Sequence, residues 1–216
     1  MNKPLIQRAL AGALLLGAIS AVWVAGRAAW ADMLQLSVRY NISQWQAGKA
    51  ALPSIAVWGD ARNTLVQALA VTPDDPQIYE NLGYLYALRA VSAKDIPELH
   101  QAMLAQAQEY YRAATRLRPM SPYPWANIAL ASHYQGEDPG EAGAPLWDAY
   151  DRAMAYGQRE PAVQAMLAEV GFARWGELTE PRRSQLLAMV NQALPHSKQQ
   201  LLEIARRNGH AALLQP

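Results

Sequence analysis

The sequence predicts an all-α protein, an N-terminal transmembrane helix followed by an irregular solenoid of helix pairs, and three observations carry that prediction. Alanine, leucine and glutamine dominate the 216 residues, Phe occurs once, and β-branched residues are too sparse for a sheet protein. Between Arg8 and Arg27 lie eighteen uncharged, mostly apolar residues, Ala9 to Gly26. Further on, Tyr79-x-x-Leu82-Gly83-x-x-Tyr86 is followed by Ala107-x-x-x-Tyr111-x-x-Ala114-x-x-x-x-Pro119. Both halves place large and small residues at helical spacing on one face, Gly83 leaves room for a partner helix, and Pro119 stops the second helix.

Residues 1–31 are expected to form the cytoplasmic N-terminus and a signal anchor. At about 1.5 Å per residue the apolar run nearly spans the ~30 Å hydrocarbon layer. Lys3 and Arg8 precede it, while Arg27 on the far side is nearly balanced by Asp32, so the positive-inside rule places the N-terminus in the cytoplasm. The chain beyond residue 31 would face the bacterial periplasm from the inner membrane. Trp23 and Trp30 suit an interfacial aromatic belt. Ala29-Trp30-Ala31 also has the form preferred by signal peptidase, so cleavage after Ala31 is the competing reading. The apolar run exceeds the ~7–15 residues usual in a cleaved signal, which favours the uncleaved anchor. A buried soluble helix is disfavoured because the run is apolar all round rather than striped.

Residues 32–208 are expected to form a helical domain, with 209–216 as a tail. Asp32 to Gln46 stays helix-compatible, and Leu34, Val38 and Ile42 share one face, so the membrane helix is expected to continue outward. That extension would supply the surface for Ala61, Leu65 and Ala68 in a helix from Trp58 to Pro73. Further helices are expected over Pro76 to Val91, Pro97 to Arg118, Pro122 to Gln135 and Gly140 to Tyr156. Three more are expected over Pro161 to Trp175, Glu180 to Leu194 and Ser197 to Asn208. Proline near several starts is favourable, because a first-turn nitrogen has no intrahelical partner to lose.

The segment recurs. A shift of 46 residues superimposes Ala68, Pro73, Pro76, Tyr79, Leu82 and Gly83 on Ala114, Pro119, Pro122, Trp125, Ile128 and Ala129. A further 39 carries Pro122, Ile128 and Ala129 onto Pro161, Leu167 and Ala168, while Trp125 becomes Gln164, so the third copy is eroded. The pattern resembles the tetratricopeptide repeat, with W-x-x-L-G-x-x-Y on its first helix and A-x-x-x-F-x-x-A on its second. Both spacings exceed the family's period of about 34 residues. The surplus is expected in the connections Val91 to Leu99 and Gly136 to Pro145.

The resemblance implies a right-handed solenoid whose concave groove is lined by first-helix positions beside the packing signature. Those positions are Gln77, Glu80, Asn81 and Tyr84 in one repeat and Tyr123, Asn127, His133 and Tyr134 in the next. Asn81 and Asn127 fall at the position where the family places a side chain able to hydrogen-bond an extended peptide. Tyr79, Tyr86, Tyr111, Trp125 and Tyr150 belong to the packing signature and are expected in the core.

No catalytic, metal or cofactor site emerges. The absence of cysteine excludes thiolate zinc, cysteine-ligated iron–sulfur clusters, c-type haem attachment and disulfides. His100, His133, His196 and His210 lack metal-ligand spacing, and there is neither a Gly-rich phosphate loop nor a nucleophile elbow. Glu137-Asp138-Pro139-Gly140-Glu141 lacks the alternating oxygens of a calcium loop and suits a solvated connection. Residues 1–73 carry six basic and two acidic side chains, 74–151 five and eleven, and 152–216 eight and five. An acidic middle without a basic, aromatic-interleaved stripe argues against nucleic-acid binding. Seven Trp and ten Tyr favour rings with a polar handle.

A closer resemblance covers nearly the whole chain. Ser121-Pro122-Tyr123-Pro124-Trp125-Ala126-Asn127-Ile128-Ala129, Gly157-x-x-Glu160-Pro161-x-Val163-Gln164 and Leu201-Leu202-x-Ile204-Ala205-Arg206-Arg207-x-Gly209 carry it. Together with the anchor they resemble the small membrane-anchored VpsP-type proteins of bacterial exopolysaccharide clusters. The resemblance implies a non-catalytic adaptor for membrane or periplasmic proteins that make or export a polysaccharide. Direct polysaccharide binding, with Tyr84, Tyr123 and Tyr134 as stacking platforms, and assembly of another envelope complex are the alternatives.

Overall fold

The computed structural model describes residues 3–136 and 145–214, and all regular structure in them is helical. The acidic cluster at Glu137, the predicted helix start at Gly140 and most of the connection Gly136 to Pro145 lie outside the described residues. The chain divides into two compact units, residues 1–78 and 79–216.

In the first unit, helix α1 runs unbroken from Lys3 to Gln46, about 66 Å at standard rise. Its inner part is apolar and uncovered: Leu10, Leu14, Leu16, Ile19 and Val22 are all more than half exposed. One helix near the N-terminus is therefore long and apolar enough to span a membrane. Beyond it the same helix becomes striped. Ala31, Gln35, Val38 and Ile42 are buried at intervals of four, three and four residues, whereas Leu34 is only half-buried. Helix α2, Ile55–Val71, packs against α1 and buries Ala61, Leu65 and Ala68. Ser54 caps α2 by accepting the Val57 N–H at 3.3 Å. At its other end the Arg27 guanidinium donates to the Val71 carbonyl.

Helix α3, Pro76–Ser92, begins where the Asp75 carboxylate accepts the Gln77 N–H at 2.9 Å. Its C-terminal part belongs to the second unit, with α4 (Pro97–Leu117), α5 (Pro122–Tyr134), α6 (Leu146–Gly157), α7 (Pro161–Ala173), α8 (Glu180–Gln192) and α9 (Pro195–Arg207). Proline opens α3, α4, α5, α7 and α9, where its missing N–H costs no helical bond. Trp175–Glu177 and Ala211–Leu214 form short 3-10 turns, the latter against α8 and α9.

Consecutive helices pack together from α4 to α6 and from α6 to α9, and α5 also lies beside α7, as α7 does beside α9. Arg182 on α8 meets Asp151 on α6. The odd helices α5, α7 and α9 thus form one layer, and α6 and α8 join across the other. Tyr111, Tyr150, Leu167, Phe172, Leu186 and Leu201 are fully or nearly fully buried in the core that these helices share.

The close approach at Gly83 is present. A Cβ there would sit 2.6 Å from the Tyr111 ring, closer than real Cβ atoms come to other groups. Helices α3 and α4 keep their expected bounds to within one residue, but the surplus length lies in the helices and not in a Val91 to Leu99 connection. Only residues 93–96 separate α3 from α4, and the extra length is helical, because α4 has 21 residues. Its added turns are held by His100, whose Nδ1 lies 2.9 Å from the Ala90 carbonyl oxygen, and by Leu104, which packs with Ala90 and Ala131. Burial of apolar side chains makes the added turns helix rather than loop.

Candidate functional site

Tyr123, Asn127, Leu130 and Tyr134 recur every three or four residues, so they form one stripe along α5. Part of this stripe borders a cavity of about 670 Å3 where α5, α7 and α9 lie side by side. Leu130, Ala165, Met166 and Ile204 give it apolar lining. Tyr134, Glu169, His196, Gln200, Glu203 and Arg207 supply polar groups. Arg207 Nη2 donates to Glu169 Oε2, tying α9 to α7 across the cavity. The lining combines apolar surface with hydrogen-bond donors and acceptors.

The predicted groove residues divide between this cavity and other settings. Tyr134 lines it and is 49% exposed. His133 is half-buried, with its ring 5.1 Å from that of Tyr134, and its Nδ1 accepts from Arg174 Nε at 3.1 Å. Nδ1 therefore carries no proton. Burial first, and then the Arg174 charge, hold the His133 pKa below its ordinary value. Farther along α5, the Tyr123 hydroxyl donates to Glu160 Oε2 at 2.9 Å. Burial, then that bond and the Glu160 charge, push its pKa up. The Asn127 amide donates to the Tyr123 carbonyl of its own helix at 2.9 Å.

On α3, Gln77, Glu80 and Tyr84 are half-buried, while Asn81 is only 6% exposed. Asn81 and Asn127, although equivalent in the repeat, therefore have different surroundings. Burial raises the Tyr84 phenol to about 12. Glu80 lies 4.0 Å from the Arg118 guanidinium. Among the described residues, no three His, Asp or Glu side chains are grouped to hold a metal ion.

The cavity residues of α7 and α9 are absent from the predicted groove, although the sequence carries their signal. The shift of 39 residues that aligns Pro122 with Pro161 also carries Asn127 onto Met166 and Leu130 onto Glu169. A further 34 carries Pro161 onto Pro195, Leu167 onto Leu201, Gly171 onto Ala205, Met166 onto Gln200 and Glu169 onto Glu203. The last spacing equals the nominal tetratricopeptide period of about 34. No family model matches this chain, and no curated protein matches it.

Proposed function

We propose that the protein is a non-catalytic scaffold, anchored in the bacterial inner membrane by α1. Its periplasmic tetratricopeptide-like helix pairs would hold an extended segment of a partner protein. The observation that carries this reading is the shared α5–α7–α9 cavity, lined at repeat-equivalent positions by Leu130, Glu169 and Glu203 and by Met166 and Gln200. Equivalent positions on adjacent first helices are how a repeat protein extends one groove across several units. Side-by-side packing of α5, α7 and α9, with α6 and α8 behind, supports the solenoid reading.

The uncleaved anchor is supported by the continuity of α1 through Ala29-Trp30-Ala31 and by the burial of Ala31, since proteolysis favours exposed, locally open chain. Tethering to a membrane raises the effective concentration of the groove towards membrane-bound partners. The resemblance to VpsP-type proteins supports partners among the synthases or exporters of an extracellular polysaccharide. Photo-crosslinking from Asn127 and Tyr134 in living cells tests this: capture of a polysaccharide synthase or exporter is expected, and capture confined to another envelope machine contradicts the pathway. Exposed Tyr123 and Tyr134 favour one second reading, direct glycan stacking. Retention of the protein on a polysaccharide affinity gel, abolished by Tyr123→Ala, would replace the adaptor reading with that one.

A further inference from the structure

We propose that the first unit binds one phospholipid with a primary-amine headgroup where α1 leaves the membrane, a proposal that rests on the membrane-spanning reading of α1. Two clefts open beside Arg27, and Arg27 lines both. One, of about 430 Å3, is lined by Ile19, Val22, Trp23, Gly26 and Trp30 of the span and by Val71 at the end of α2. Apart from Arg27 and the indole N–H groups its side chains are apolar, so it suits an acyl chain. The other, of about 690 Å3, brings Asp32 and Gln35 of α1 together with Asp74 and Asp75 in the turn after α2. Val24, Ala28, Ala29 and Pro73 give the second cleft apolar walls as well, so what distinguishes it is its carboxylates. An apolar cleft meeting an acidic one at a guanidinium matches the amphipathic order of a phospholipid.

The carboxylate-bearing cleft also selects among headgroups. Arg27 spends one bond on the Val71 carbonyl, and a guanidinium carries five N–H donors, so others remain for a phosphate. Asp32 is neutralised by Arg39 at 2.7 Å. Asp74 and Asp75 then outnumber Arg27, which disfavours a lipid of net negative charge and favours one that brings its own cation. Gln35 supplies a second, independent requirement. It is only 1% exposed, and its Oε1 has no hydrogen-bond partner among the described residues. An unpartnered buried acceptor calls for a donor. A primary ammonium meets both needs, whereas a glycerol headgroup brings no charge and a choline headgroup brings no N–H.

Native mass spectrometry of the purified full-length protein with equimolar phosphatidylethanolamine, phosphatidylglycerol and phosphatidylcholine tests the proposal. Phosphatidylethanolamine is expected to be retained about tenfold better than either competitor, the size of one charge-assisted hydrogen bond. Asp74→Asn should reduce that preference several-fold, while Asp60→Asn on α2, outside both clefts, should leave it unchanged. Circular dichroism confirms that both variants fold. Equal retention of the three lipids by an intact chain, or an undiminished preference in Asp74→Asn, overturns the lipid site alone. A protein mass beginning at Asp32 overturns the anchor, and the site with it.

Discussion

Single side chains set the tolerances of this protein. Gly83 lies against the Tyr111 ring, so Gly83→Leu should overpack the pair and cost about 1–3 kcal/mol, read from thermal or urea melts. Gly59, inside α2 with open space where a Cβ would stand, makes the contrast: Gly59→Ala should stabilise by about 0.5–1 kcal/mol through helix propensity. An unchanged melt for Gly83→Leu would contradict the packing of α3 on α4. Tyr111 and Tyr150 keep their hydroxyls buried without a hydrogen-bond partner among the described residues, and burial raises both phenol pKa values. Tyr150→Phe should therefore leave stability unchanged or raise it by up to about 1 kcal/mol. His133 adds a pH dependence. Its folded pKa is depressed, so as pH falls below the unfolded value near ~6.5 the unfolded chain binds the proton more readily and stability declines. His133→Gln should flatten the fall in melting temperature between about pH 7.5 and pH 5.5; an identical fall would show that His133 remains free to titrate in the native state.

Between helices, charge and aromatic rings act together. Arg182 on α8 makes two bonds to Asp151 on α6, at 2.8 and 2.7 Å, and lies 5.0 Å from the Trp147 ring centroid. Arg152 on α6 similarly covers Trp125 on α5 at 4.7 Å. These contacts give a physical reason for Trp at positions where Phe would fill space without attracting a cation as strongly. Arg182→Ala should cost about 1 kcal/mol, because its side chain is only 21% exposed and both contacts are lost. Glu203→Gln should cost almost nothing, since the Arg206–Glu203 pair is more than 60% exposed on both sides and screened by water. A double-mutant cycle of Arg182 with Asp151 isolates the first pair. The helices themselves are largely legible in the sequence, because proline starts and apolar periodicity are local signals. The short connection before α4 follows from the same signals, since Pro97 is both the expected and the observed helix start, whereas the contacts of His100 and Leu104 that hold the added turns are tertiary and leave no local signal. The cavity is half legible: α5 retains its aromatic signature, whereas α7 replaces the corresponding Trp with Gln164, which is buried and bonds the Gln158 carbonyl at 2.8 Å.

For the molecule as a whole, the proposed function needs both a membrane-spanning helix and a periplasmic groove. The lack of native cysteine allows single-cysteine topology mapping without background. Lys49→Cys should react with an impermeant maleimide in intact spheroplasts, and Gln7→Cys should react only after lysis; the reverse pattern contradicts the orientation. Function is the least legible level. Packing constrains a helix pair strongly, whereas the residues of the proposed groove would answer to a partner whose chemistry is outside the chain. If the α5–α7–α9 face holds a partner segment, site-specific photo-crosslinking at Met166 and Gln200 should reveal it, with exposed Ala155 on α6 and Gln185 on α8 as controls. One discrete membrane or periplasmic partner is expected from Met166 and Gln200 and none from the controls. Equal capture from both faces, or no capture from the groove while the control positions yield the partner, would rule out the groove as the docking face.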